Sequence, residues 1–180
     1  MEDTPLSKRP PFTASELMDY ALKLLGARDY AEKELRSRLS SRAAAETDID
    51  HAVARLRELG FLDESRFARG KAEDATSRRL VGKRRILGEL EGREVEKEVI
   101  ERAVDEAYEG RDEAALALAH LETRLRNFLR EGALEDEKTL QRAYGRLRRA
   151  GFRHADVVAA LRMHSRLAAK LDEFAPDDDE

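Results

Sequence analysis

The chain is 180 residues long, 40% of them charged, with a formal net charge of −4 and no cysteine. That length allows one domain or two, and the missing cysteine excludes disulfides, thiolate metal sites and cysteine nucleophiles together. No apolar run approaches the roughly 20 residues that span a bilayer, and residues 1–11 lack the apolar core of a signal peptide, so a cytoplasmic protein is expected.

Prolines stand only at positions 5, 10, 11 and 176, which leaves Phe12 to Ala175 without helix breakers and predicts an all-α fold. Residues 1–12 read as a flexible lead. Thr13 followed by Glu16 has capping-box spacing, and Leu17, Ala21, Leu24 and Leu25 follow at helical intervals to a stop near Gly26. Asp29 and Glu32 open a second helix with Leu35 and Leu39. Thr47 and Asp50 open a third, carrying Ile49, Val53 and Leu56 and stopped by Gly60. Asp63 is the N-cap of a helix through Phe67 to about Arg79. After Gly82 come a short helix with Ile86 and Leu90 and a longer one over Val95–Tyr108. The last set covers about Asp112–Leu129, Lys138–Arg149 and His154–Leu167.

The apolar positions repeat. Ile86, Leu90, Val95, Ile100, Ala103 and Val104 are matched 57 positions later by Ala143, Leu147, Phe152, Val157, Ala160 and Leu161. Repeats of this length point to stacked helical units, each too small to bury its own face alone. The division expected is a lead over 1–12, three-helix repeats over 13–61, 62–110 and 111–170, and an acidic disordered tail over 171–180, the whole forming an elongated curved array.

Charge is distributed unevenly. Six of the 38 acidic residues fall in 171–180, where there is no base, so the body is close to neutral. Within it, Arg78, Arg79, Lys83, Arg84 and Arg85 make one basic patch. Lys138, Arg142, Arg146, Arg148, Arg149 and Arg153 make another, with no acid between its ends. These two are the candidate partner-binding sets, because concentrated positive charge suits DNA phosphate or an acidic groove on a protein filament. The plainer reading is a solvated helix face offset by i,i+4 acids. Arg124, Arg126 and Arg130 are interleaved with acids and read as ordinary surface. The tail reads as a solubility device or as a competitor for the basic helices.

Nothing points to catalysis. His51, His120, His154 and His164 are scattered without metal-ligand spacing, and no nucleophile elbow, P-loop or dinucleotide glycine pattern occurs. No cofactor, metal or catalytic residue is expected. Phe61, Phe67 and Phe152 fall at repeated apolar positions and read as core. Tyr144, among arginines, reads as a candidate for exposure.

Ala21–Leu25 followed by Arg28-Asp29 and Glu34-Leu35, then Gly60-Phe61-Leu62-Asp63-Glu64-Ser65-Arg66-Phe67, then Gly82 with Arg85-Ile86 and Glu89-Leu90, and finally Leu147, Arg149 and Gly151-Phe152, resemble in order and spacing the RecX family of bacterial regulatory proteins. The resemblance covers roughly 17–167. It implies binding to RecA and to the groove of the RecA–DNA filament, and modulation, chiefly inhibition, of RecA ATPase, strand exchange and coprotease activity in recombinational repair and the SOS response. From the residues no enzyme activity is expected, and a monomer is expected. Lys83 stands where the family commonly has proline, and Arg93-Glu94 where it often has Lys-Gly, so an altered or strained turn is expected near residue 93. The alternative is a direct DNA binder with helix-turn-helix-like units, independent of RecA. Its difficulty is a body with no clear basic excess. A scaffold for other helical partners is a third reading.

Overall fold

The computed structural model describes residues 10–130 and 133–174. The expected lead up to residue 9 and the tail from residue 175 lie outside the described residues. Nine α-helices occur among these, joined by short 3-10 and π turns, with no β-strand. The all-α fold read from the sequence is the fold observed. No helix of the described chain is long and apolar enough to cross a membrane.

The chain forms two compact units. One comprises the chain up to Phe67 with Arg93–Val95, and the other Ala68–Gly92 with the chain from Glu96 onward. In the first, α1 (Ala14–Ala27), α2 (Glu32–Ser40) and α3 (Glu46–Glu58) enclose Leu17, Ala21, Leu35, Leu39, Ile49, Val53 and Leu56. Each fully buried leucine here contributes roughly 1.5–3 kcal/mol. The capping box of α1 is complete, with Thr13 N donating to Glu16 Oε2 at 2.9 Å and Glu16 N donating to Thr13 Oγ1 at 3.3 Å. The start of α3 differs from the sequence expectation. The box is not Thr47 with Asp50; instead Asp48 Oδ2 accepts from Ala45 N at 3.2 Å, because the acid three residues into the helix is the one that reaches back to the entering chain.

The second unit contains most of α4 (Glu64–Asp74), then a π-helical turn over Ala75–Arg79, α5 (Lys83–Glu91), α6 (Lys97–Tyr108), α7 (Glu113–Arg124), α8 (Glu137–Arg149), α9 (His154–Arg162) and a 3-10 helix over Arg166–Phe174. Asp112 caps α7 and Asp136 caps α8, each accepting a backbone N–H at 2.9 Å. Leu121, Leu140, Leu147, Phe152, Val157 and Leu161 lie in one hydrophobic core of this unit. All twelve residues of the 57-position repeat are buried. Leu171 is buried too, so the stretch expected as tail begins inside the 3-10 helix.

Two helix ends are copies of one another. Arg55-Leu56-Arg57-Glu58-Leu59-Gly60-Phe61 ends α3, and Arg146-Leu147-Arg148-Arg149-Ala150-Gly151-Phe152 ends α8. Both close as Schellman turns. Gly60 N donates to Arg57 O at 2.9 Å and Phe61 N to Leu56 O at 2.9 Å, while the equivalent bonds after α8 are 3.0 and 3.4 Å. The glycines take φ 72° and 95°, a conformation in which a Cβ would be strained. The aromatic rings diverge. Phe152 is 1% exposed and meets His120 edge-on at 5.9 Å, whereas Phe61 is 50% exposed. The expectation that Phe61 packs in the core is therefore corrected: the backbone turn uses it, and Leu62 beside it takes the buried position.

The turn after α5 explains the departure noted at residue 93. Glu94 adopts φ 56° without being glycine, at a cost of roughly 1 kcal/mol, and pairs with Lys33.

Candidate polyanion-binding surface

Both basic sequences lie in the second unit, and the backbone brings their ends into contact. Gly82 N donates to Ala150 O at 2.9 Å. A Cβ on Gly82 would stand 2.3 Å from the Gly151 carbonyl carbon, and one on Gly151 would stand 2.4 Å from Arg85 N. Only two glycines permit this crossing, which sets the first turn of α5 against the last turn of α8. In the sequence the two patches fall in separate segments, and nothing local shows that they meet.

The link before α5 is held by side chains from α6 and α7. Leu80 takes φ 53°, which opens the carbonyls around it. Arg124 donates to Arg78 O at 2.6 Å, His120 Nδ1 lies 2.8 Å from Leu80 O and so carries the ring proton, and Tyr108 Oη donates to Val81 O at 2.7 Å. Burial pushes the Tyr108 phenol pKa up and the His120 imidazole pKa down. Arg124, read as ordinary surface, is thus a positioning residue, as are Tyr108 and His120. Their signal in the sequence was slight, consisting only of polar-tipped side chains at otherwise apolar helical positions.

The two patches differ in what surrounds them. Arg79 makes a bidentate pair with Glu89 at 2.6 and 2.8 Å, and Arg85 Nε donates to the same carboxylate at 2.7 Å. The Arg79 guanidinium, with Arg85 beside it, holds the Glu89 carboxyl below the ordinary carboxylate range. Lys83 Nζ is 2.6 Å from Asp105, and its backbone N–H donates to Glu113 Oε2 at 3.1 Å. Arg78 approaches Asp74 at 3.5 Å from an exposed position. Arg84 is exposed and also engaged. Most of this positive charge is therefore answered within the unit.

On α8 it is not. Leu140, Ala143 and Leu147 face the core, while Lys138, Arg142, Arg146 and Arg149 are exposed on the opposite face, with i,i+4 neighbours roughly 6 Å apart along the axis. Among the described residues no acid lies within ion-pairing distance of Lys138, Arg142, Arg146, Arg149 or the exposed Arg153. Arg142 rests over the Phe128 ring at 6.0 Å. Arg148 differs from its neighbours, being half-buried and donating to Phe152 O at 3.2 Å. Tyr144 is half-buried rather than exposed, with its hydroxyl 2.9 Å from His154 Nδ1. A buried imidazole supplies a polar partner that the arginine-rich sequence did not suggest.

Elsewhere, His164 lies 3.3 Å from Glu122. No group of three His, Asp or Glu residues among the described ones is arranged to hold a metal. The cleft beside Arg69, Glu73, Thr76 and Glu106 is polar and of mixed charge.

An all-α chain of helical units bearing a bare cationic helix face has the build of a binding and regulatory protein. Comparison with known proteins names the class. Residues 18–56 match the family model described as RecX, first three-helix domain. A Thermus thermophilus protein named Regulatory protein RecX is 38% identical over 104 residues, 58% of this chain and 69% of that one. Another of that name from Trichlorobacter lovleyi is 32% identical over 141 residues, covering 78% and 90% respectively. The crystal structure of RecX from Lactobacillus salivarius matches with a TM-score of 0.66 at 15% identity, covering 83% of this chain and 95% of that one, a likeness of fold. This chain belongs to the RecX family of regulatory proteins.

Proposed function

We propose that this chain binds RecA and the RecA–DNA filament and limits RecA ATPase, strand exchange and coprotease activity. Family membership supports the regulatory role, and the observation that carries the contact surface is the unanswered charge of Arg142, Arg146 and Arg149 on α8. In this reading the α8 face meets DNA phosphate or acidic filament surface in the groove. Arg79, Lys83 and Arg85 mainly hold α5 in place, with Arg78, Arg84 and Arg153 at the edge of the contact. Each three-helix repeat supplies one binding segment, and linked weak contacts gain affinity through effective concentration.

The test is RecA ATP hydrolysis on single-stranded DNA while the chain is titrated in, with bare-DNA binding measured in the same buffer. A substoichiometric fall in hydrolysis with weak bare-DNA binding supports the reading. Unchanged hydrolysis with tight, steeply salt-dependent DNA binding would replace it with the direct DNA binder, which the same α8 face could serve.

A further inference from the structure

We propose that the acidic end of this chain, Asp177-Asp178-Asp179-Glu180, docks on the exposed arginine face of α8 and covers Arg142, Arg146 and Arg149 until an external polyanion displaces it. The inference uses the same α8 face as the proposed function but needs neither RecA nor DNA.

Charge complementarity comes first. The face presents three arginines and Lys138 without an acid in ion-pairing distance among the described residues, and residues 171–180 carry six acids and no base. Around α5, Arg79, Arg85 and Lys83 are answered by Glu89 and Asp105, so of the two patches α8 is the one that holds unspent positive charge. Opposite charges that are tethered meet at high effective concentration, which allows individually weak exposed pairs to persist.

The chain is also delivered to the right helix. The 3-10 helix Arg166–Phe174 is anchored where Ser165 Oγ donates to Leu134 O at 2.8 Å. Leu167, Lys170 and Leu171 then line one small cavity with Glu137, Leu140 and Gln141 of α8. Residues 175–180 therefore follow in sequence a segment seated against the first half of α8, at Glu137, Leu140 and Gln141, the last adjacent to Arg142 in the chain. Six residues reach up to about 20 Å when extended, and Arg142 to Arg149 spans roughly 10 Å of helix. Reach is sufficient without any change in α8. The α5 patch is a poorer receiver, because an arriving carboxylate would have to compete with Glu89 and Asp105 for Arg79, Arg85 and Lys83.

The experiment compares the full chain with its D177N/D178N/D179N/E180Q variant by NMR, following backbone amides and arginine Nε–Hε signals at about 25 mM and about 300 mM salt. At low salt the two chains are expected to differ at Arg142, Arg146, Arg149 and their α8 neighbours. Raising the salt should shift the unmodified chain toward the variant, and R142Q/R146Q/R149Q should abolish the difference. Identical α8 signals at low salt, or differences concentrated at Arg84–Arg85 or around Phe61, would overturn the proposal. Because no RecA or DNA is present, such a failure leaves the proposed function standing. Conversely, unchanged RecA activity beside a mapped contact would fail only the proposed function.

Discussion

The arginines around α5 and those on α8 look alike in sequence and do different work in the structure. Around α5 the guanidinium groups of Arg79 and Arg85 converge on one carboxylate, Glu89, within 2.6–2.8 Å. On α8, Arg142, Arg146 and Arg149 are turned to solvent with no acid beside them among the described residues. The first set is spent on holding the link between α4 and α5, and the second is available to a partner. A run of arginines is thus not a site by itself; what decides is whether acids reach it from elements distant in sequence, as Asp105 reaches Lys83 from α6.

The largest expected effect breaks the junction that brings the two sets together. Gly151→Ala places a Cβ 2.4 Å from Arg85 N at a backbone φ of 95°, so overpacking and backbone strain together should cost about 3 kcal/mol or more in urea denaturation. A loss below about 1 kcal/mol would mean that the crossing is loose.

Next in size, Arg79→Gln should cost about 1.5 kcal/mol through loss of a half-buried bidentate pair, whereas Arg146→Gln and Arg149→Gln should each stay within about 0.5 kcal/mol. Equal losses at all three positions would erase the division between structural and available arginines.

The smallest effect sharpens the role of the link. Burial keeps His120 neutral and holds its pKa below the ordinary 6.5, outweighing the bond to Leu80 O, which acts in the opposite direction. The unfolded chain then binds the proton more readily, so this contribution is fully present above pH 6.5 and is lost as pH falls from there toward the folded pKa. His120→Gln should flatten that part of the stability–pH profile. An unchanged slope would remove His120 from the clamp.

The helical fold was legible because its signals are local: Thr13 with Glu16, Asp63, Asp112, Gly60 and Gly151 cap or stop helices where their chemistry requires, and the 57-position pattern marks residues that are all buried. Glu94 was legible as a missing glycine, and the chain accepts φ 56° there. The candidate surface was only half legible. Charge density is written in the sequence, but the neutralising contacts Arg79–Glu89 and Lys83–Asp105 depend on tertiary packing, as do the Gly82–Gly151 crossing and the Tyr144–His154 bond. Phe61 misled for the same reason, since nothing local distinguishes it from Phe152, and only the packing of α5 and α7 buries the second of the pair.

The most direct measurement is binding of R142Q/R146Q/R149Q and of R79Q/R85Q to RecA filaments on single-stranded DNA, read by anisotropy at one salt concentration after both variants are shown to be folded. The α8 variant should bind about tenfold or more weakly and with a shallower salt dependence, while the α5 variant stays within about threefold of the unmodified chain. Unchanged binding by the α8 variant, or a larger loss in the α5 variant, would contradict the assignment of the contact to α8.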